Sequence, residues 1–162
     1  MKKIIVFLAC LTAFVSVAFA QEFKDPTAEM ETMKKIEQEK TTTHTIIVPD
    51  GFGGLSDKKY MDEEEALGGG NIKIEFSPLY DEVRIYYTTM MVNYNRGKAM
   101  NTVMAVLQDF LSVTEFTNTE GATVPKERYY HYKYLQPDKE KYYKNERKVA
   151  MAQYFSYLKF TK

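Results

Sequence analysis

The sequence predicts a single α+β domain, in which an antiparallel sheet of about four strands packs against one main amphipathic helix. Between residues 71 and 93 two apolar-polar alternating stretches flank the turn sequence SPLYD, which is typical of a β-hairpin. Apolar residues then recur at spacings of three and four from Met100 to Leu111, as on the buried side of a helix. Because strands and helices do not alternate regularly, a doubly wound parallel sheet is not expected.

The first 20 residues are typical of a bacterial secretory signal peptide. Lys2 and Lys3 precede an apolar run, and Ala18 and Ala20 form an A-x-A cleavage pattern. Cleavage would leave residues 21–162 as one domain and would remove the only cysteine, so that neither a disulfide nor a cysteine metal ligand is expected. We therefore expect a periplasmic or extracellular protein, without membrane insertion after cleavage.

The charged residues are unevenly distributed along the predicted mature chain. Residues 21–124 hold ten basic and eighteen acidic residues, whereas residues 125–162 hold ten basic and four acidic residues. The net charge of the predicted mature chain is only −2, which disfavours a dedicated polyanion-binding protein. The basic end either faces the acidic part of the same chain or meets an anionic partner.

The N-terminal part of this domain contains fewer regular patterns. Good helix formers predict a helix over 27–40, and a β-branched run predicts a strand over 43–48. Residues 50–70 hold six of the eight glycines and predict a long loop. Within it, a short helix is expected after Ser56, ending at Gly68.

The C-terminal part predicts most of the sheet. Strands are expected over 71–76, 82–93 and 128–135, and the main helix over 96–113 with Asn95 as its N-cap. Residues 139–152 fit a second helix, and residues 153–162 fit a helix or a strand equally well. The additional helices therefore lie near both ends of the domain.

Histidine and carboxylate chemistry gives the enzymatic alternative. His44 and His131 lie in predicted strands, and a small secreted hydrolase would use one of them with an acid such as Asp50 or Asp81. No G-x-S-x-G or H-E-x-x-H motif occurs, and the four acids of the sequence DEEE cannot converge on one ion from a helix. We expect neither a metal nor another cofactor.

The segment RYYHYKYLQPDKEKYYKNERK, residues 128–148, is the main candidate for a binding surface. Strand alternation would turn Tyr130, Tyr132 and Tyr134 toward the core and leave the other side chains of the segment exposed. A second cationic position is the start of the main helix, where positive charge opposes the helix dipole. The predicted ligand-binding residues are Tyr129, His131, Lys133, Tyr142, Arg147, Arg96 and Lys98.

These patterns favour a non-catalytic binding or structural module of the cell envelope, acting through a basic, tyrosine-rich face. The expected partners are an envelope protein, a glycan or another anionic surface. Nucleic acid is not an expected partner because the chain carries an export signal.

Overall fold

The computed structural model describes Glu31, Lys34, residues 42–48 and residues 60–162. Residues 42–48 and 60–162 belong to one compact unit with the predicted α+β architecture. Glu31 and Lys34, in a separate unit, are helical and exposed. The rest of the predicted helix 27–40 and residues 50–59 of the predicted loop lie outside the described residues.

The main sheet has five strands rather than about four, all antiparallel to their neighbours, in the order β1-β2-β3-β7-β6. The strands are β1 (His44–Val48), β2 (Asn71–Ser77), β3 (Glu82–Met90), β6 (His131–Lys144) and β7 (Ala150–Thr161). β3 ends earlier than predicted, because Met91–Asn93 form a 3₁₀ turn. The C-terminal strand β7 therefore lies inside the sheet, between β3 and β6.

The main helix, α2 (Arg96–Ser112), covers one face of the sheet. Asn95 caps it as predicted, since its side chain accepts the backbone N–H of Lys98. The helix buries its apolar side against alternate residues of β1, β2, β3 and β7, including Ile74, Phe76 and Leu158. Each fully buried side chain of this kind stabilises the fold by roughly 1.5–3 kcal/mol.

Two small elements complete the core on the same face. Strands β4 (Glu115–Thr117) and β5 (Thr123–Pro125) form a hairpin that buries Phe116 and Val124. The short helix α1 (Glu63–Leu67) begins later than the sequence predicted, because Asp62 rather than Ser56 is its N-cap. It ends at Gly68 as predicted.

The predicted helix over 139–152 is wrong. These residues form the end of β6, a tight turn and the start of β7. The turn is closed by Asn145, whose side chain accepts the backbone N–H of Val149, and by Lys148 at a positive φ of 61°. Asn is a common turn residue, but Lys rarely takes a positive φ. The helix-like spacing of residues 143–158 hid the strand alternation that buries Tyr154 and Leu158.

Candidate binding face

Most tyrosines of this protein serve the fold by donating hydrogen bonds to carboxylates. Seven of the 13 do so, and six of these pairs join residues at least eleven positions apart. The pairs are Tyr60–Asp109, Tyr86–Glu75, Tyr87–Glu65, Tyr129–Asp81, Tyr142–Glu140, Tyr154–Asp138 and Tyr157–Glu82. A high tyrosine content therefore does not by itself mark a binding surface here.

Tyr129 is a core residue, and its predicted place on an exposed surface is wrong. Only 5% of it is accessible, its ring packs on Phe160 at a centroid distance of 4.9 Å, and its hydroxyl donates to Asp81. Burial and this carboxylate raise the pKa of Tyr129 well above its usual value. The adjacent Tyr130, predicted to face inward, is 69% exposed because β6 begins only at His131.

Arg96 and Tyr142 come together on the helix side of the sheet. Both contact Glu140: the guanidinium Nε of Arg96 lies 3.2 Å from one carboxylate oxygen, and the hydroxyl of Tyr142 donates to the other at 2.6 Å. The hydrogen bond from Tyr142 keeps the pKa of Glu140 below its usual value. This cluster ties β6 to the start of α2, so its charges are already paired.

Lys98 is likewise committed to an internal ion pair. Its ammonium contacts Asp62 at 2.6 Å and Glu65 at 3.0 Å. Glu65 is almost fully buried and also accepts the hydroxyl of Tyr87. Because a buried carboxylate needs a counter-charge, Lys98 anchors α1 to α2 instead of offering a free cation.

His131, Lys133 and Arg147 are exposed, but they do not form one cluster. Arg147 lies in the β6–β7 turn, which encloses a shallow pocket lined by residues 143–147. His131 and Lys133 start β6 and point to the sheet face opposite α2. Of the seven predicted ligand-binding residues, only these two therefore share a surface with the aromatic and basic residues described next.

The sheet face opposite α2, here called the open face, is the main candidate surface. Strand alternation places on it the side chains of Lys73, Glu75, Glu82, Arg84, Tyr86, Lys133, Lys139, Lys141, Tyr143, Phe155, Tyr157 and Lys159. No sheet residue of the buried core cluster belongs to this face. All of these twelve side chains are partly or largely exposed.

Three aromatic rings form a ridge along the middle of the open face. Tyr86 and Phe155 face each other across β3 and β7 at 4.9 Å, and Tyr157 continues the row at 6.5 Å from Phe155. Cations cover the two ends, with Lys73 over Tyr86 and Arg84 over Tyr157. Since the ring faces are turned toward each other, the ridge presents mainly ring edges to a partner and is poorly suited to stacking on sugars.

Lysines border this ridge on the β6 side. Lys133, Lys139 and Lys141 lie on β6, and Lys133 is directly opposite Lys159 on β7. None of these four ammonium groups forms an ion pair within the part of the chain that the structure describes. Lysines on an edge strand also discourage edge-to-edge aggregation, but Lys159 lies on an inner strand, where a facing like charge is unfavourable.

The sequence patterns point to only two residues of this surface, His131 and Lys133. They do not single out Tyr157 and Lys159, since residues 153–162 fit a helix or a strand equally well, and they predict only a strand at Tyr86. The alternation in QYFSYLKF contained the signal, because its odd-numbered residues Phe155, Tyr157 and Lys159 share one face of a strand.

The two histidines do not meet in this fold. His44 is buried on β1 and packs edge-on against Phe116, whereas His131 begins β6 at the opposite edge of the sheet. Asp81 accepts the hydroxyl of Tyr129, and Asp50 lies outside the described residues. Among the described residues, His131 makes no hydrogen bond or ion pair with a carboxylate or hydroxyl group.

Comparisons with protein-family models, with curated protein sequences and with solved structures give no match to this chain. Within the described ranges, no group of three or more histidine, cysteine, aspartate or glutamate side chains is arranged to hold a metal ion. No helix built from the described residues is both long and apolar enough to cross a bilayer.

Proposed function

We propose that this protein is an exported, non-catalytic binding module of the cell envelope, which docks an acidic partner protein on its open face. The observation that carries the proposal is the combination of a partly exposed aromatic ridge with lysines along one side of it that form no ion pair among the described residues. Protein interfaces are typically enriched in tyrosine, phenylalanine and arginine at their centres, with a charged rim around them. The signal-like sequence of residues 1–20 supports export.

The charge of the open face favours an anionic partner over a second copy of the chain. Six of its residues are basic, Lys73, Arg84, Lys133, Lys139, Lys141 and Lys159, and two are acidic, Glu75 and Glu82. Two copies that met through this face would bring like charges together, which opposes association. An acidic partner would instead be steered toward the lysines.

The geometry of the ridge favours a protein over a glycan. Sugars and bases are usually held on exposed ring faces, but Tyr86 and Phe155 stack on each other and cations cover the ends of the row. Ring edges provide apolar contact area, as a packed protein interface requires. The hydrolase alternative, which uses His44 or His131 with a nearby carboxylate, gains no support at His131, which has no carboxylate or hydroxyl partner among the described residues.

Binding of a soluble acidic polypeptide would test this proposal. Poly-glutamate is titrated against residues 21–162 and against the variant Lys133→Ala/Lys139→Ala/Lys141→Ala at two salt concentrations. We expect the variant to bind about tenfold or more weakly, and wild-type binding to weaken as salt shortens the Debye length from about 10 Å at 0.1 M to about 3 Å at 1 M. Tyr157→Ala should also weaken binding.

Matched controls lie on the opposite side of the same strand. Lys144→Ala and Tyr142→Ala change the same residue types on β6, but their side chains point away from the open face. Neither should alter the affinity by more than about twofold if the open face is the binding site. Tighter binding of heparin or of anionic vesicles than of poly-glutamate would contradict a protein partner, and equal losses in Lys144→Ala would contradict the open face.

A further inference from the structure

A small cavity lies on the open face beside the β2–β3 turn. It has a volume of about 180 Å³ and is formed where β2 and β3 approach their connecting turn. Its lining residues are Thr43, Glu75, Ser77, Tyr80, Glu82 and Arg84. Arg84 and Glu82 connect it directly with the aromatic ridge, since Arg84 covers the ring of Tyr157 and Glu82 accepts the hydroxyl of Tyr157.

The two carboxylates of this cavity have different surroundings. Glu75 is bound to Lys73 at 2.6 Å and accepts the hydroxyl of Tyr86 at 3.0 Å. Burial acts to raise its pKa, but these hydrogen bonds prevail and lower it, so Glu75 stays ionised at neutral pH. Glu82 accepts only the hydroxyl of Tyr157, and none of the described cations lies within ion-pairing distance of it.

The remaining polar groups of the cavity also suit a hydrogen-bond donor. The hydroxyl oxygens of Thr43, Ser77 and Tyr80 can each accept a hydrogen bond. Together with Glu82 they give a site rich in acceptors, whereas Arg84 is already engaged with the ring of Tyr157 and with Glu75 at 3.9 Å. A cationic donor that carries several N–H groups therefore matches this site better than an anion or an apolar group.

We propose that this cavity binds the guanidinium or ammonium group of a basic side chain of the docked protein. That the bound group belongs to a partner protein rests on the proposed function. That the cavity prefers an organic cation does not rest on it. The lysines of β6 and this carboxylate site lie two strands apart on the open face, with Lys159 on β7 between Lys133 and Glu82. A partner with acidic residues at one end and a basic residue at the other would therefore dock in a single orientation.

The cation preference is tested with ethylguanidinium, which carries the arginine head group. Amide chemical shifts of isotopically labelled residues 21–162 are followed during a titration at constant ionic strength, with sodium chloride replacing the probe. We expect saturable shifts around Ser77 and Glu82. In Glu82→Gln, which keeps an oxygen for the hydroxyl of Tyr157 but removes the charge, the affinity should fall about tenfold or more.

Two further variants show whether the chemical-shift changes report binding in this cavity and not a general effect of substitution. Glu115→Gln removes an exposed carboxylate from β4, which packs on the opposite face of the sheet, and should leave the titration unchanged. Ser77→Ala removes one acceptor and should weaken binding a few-fold. Melting temperatures of all variants show whether each one remains folded.

The outcomes distinguish this inference from the proposed function. Absence of saturable shifts, unchanged binding in Glu82→Gln, or a stronger response to glucose than to ethylguanidinium would each overturn the cation site. The triple lysine variant should keep its ethylguanidinium response, because its substitutions lie at the other side of the sheet. Failure of the wild-type protein to bind poly-glutamate, with its ethylguanidinium response intact, would therefore count against the proposed function and not against the cavity.

Discussion

At the scale of single residues, neighbouring tyrosines in this protein have opposite roles. Tyr129 is buried against Phe160 and bonded to Asp81, whereas Tyr130 projects into solvent. The chain alternates between these roles within one step because extended residues point to opposite sides. Composition alone could not assign either role.

Replacement of Tyr129 should therefore affect folding. We expect Tyr129→Ala to lower the free energy of unfolding by about 3–5 kcal/mol, as for a buried aromatic residue, and it would also leave Asp81 without its donor. Tyr130→Ala, the adjacent control, should change the free energy by no more than about 0.5 kcal/mol. Urea unfolding of both variants measures the difference, and a similarly small effect for Tyr129→Ala would show that its burial contributes little.

At the scale of the elements, Lys126 holds the end of the main helix. Its ammonium donates to the backbone carbonyls of Leu111, Val113 and Glu127 at 2.8–3.3 Å. The rings of Phe110 and Tyr129 lie 5.0 and 4.9 Å from it. This buried lysine thus supplies donors to carbonyls that the helix itself cannot satisfy.

Lys126→Met should destabilise the protein in a pH-dependent way. Loss of the donors leaves buried carbonyls unpaired, at a cost of about 1–3 kcal/mol. Burial, assisted by Arg128, lowers the pKa of Lys126 to about 8, below its ordinary value of 10.5. Between these pH values unfolding takes up a proton, so the wild-type protein should become more stable as the pH rises through this window.

Unfolding by urea at several pH values from 7 to 10 tests this expectation. The rise in stability should be present in wild type and missing from Lys126→Met. If the difference in free energy of unfolding between the two proteins does not vary with pH, the carbonyls and ring faces keep the ammonium of Lys126 charged despite its burial.

The β6–β7 hairpin shows how long-range pairing decides whether a segment forms a helix or a strand. Asp138 accepts hydrogen bonds from Tyr154 at 2.5 Å and from Ser156 at 2.7 Å, across the irregular part of the strand pair. A helix over 139–152 would forfeit these bonds and the backbone pairing of β7 with both neighbours. Such contacts depend on residues far apart in sequence, so local periodicity could not reveal them.

At the scale of the whole molecule, the tyrosine–carboxylate pairs join strands, helices and loops that are distant in sequence. Burial and the carboxylate partners raise the pKa of Tyr60, Tyr87, Tyr129 and Tyr154 far above the usual value, and that of Tyr86 to about 12. These hydroxyls remain protonated in the folded protein at pH values where they ionise in the unfolded chain. The stability that they contribute is fully present below pH 10 and is lost as the pH rises above it.

Alkaline titration should therefore unfold the protein cooperatively. We expect the melting temperature to fall steeply above pH 10, and the absorbance at 295 nm to show a group of tyrosines that ionise only as the protein unfolds. Independent ionisation of all the tyrosines near pH 10, without unfolding, would contradict the observed hydroxyl–carboxylate pairing.

The local patterns of the sequence were sufficient to predict part of this fold. The α+β class, the β2–β3 hairpin, the capped main helix and the stop at Gly68 follow from alternation, helical spacing and capping chemistry. The basic character of the last 38 residues is also a property of the sequence alone. These features depend on residues that are close together along the chain.

Tertiary structure decided which side chains share the open face. Phe155 and Tyr157 meet Tyr86 because β7 inserts beside β3, more than sixty residues away in sequence. Tertiary packing also buries Tyr129, pairs Lys98 with Glu65, and leaves the lysines of β6 beside the aromatic ridge. The sequence by itself determined the α+β class, the β2–β3 hairpin, the main helix and the charge. Strand order determined the surface, since alternation defines two faces and only packing decides which is buried.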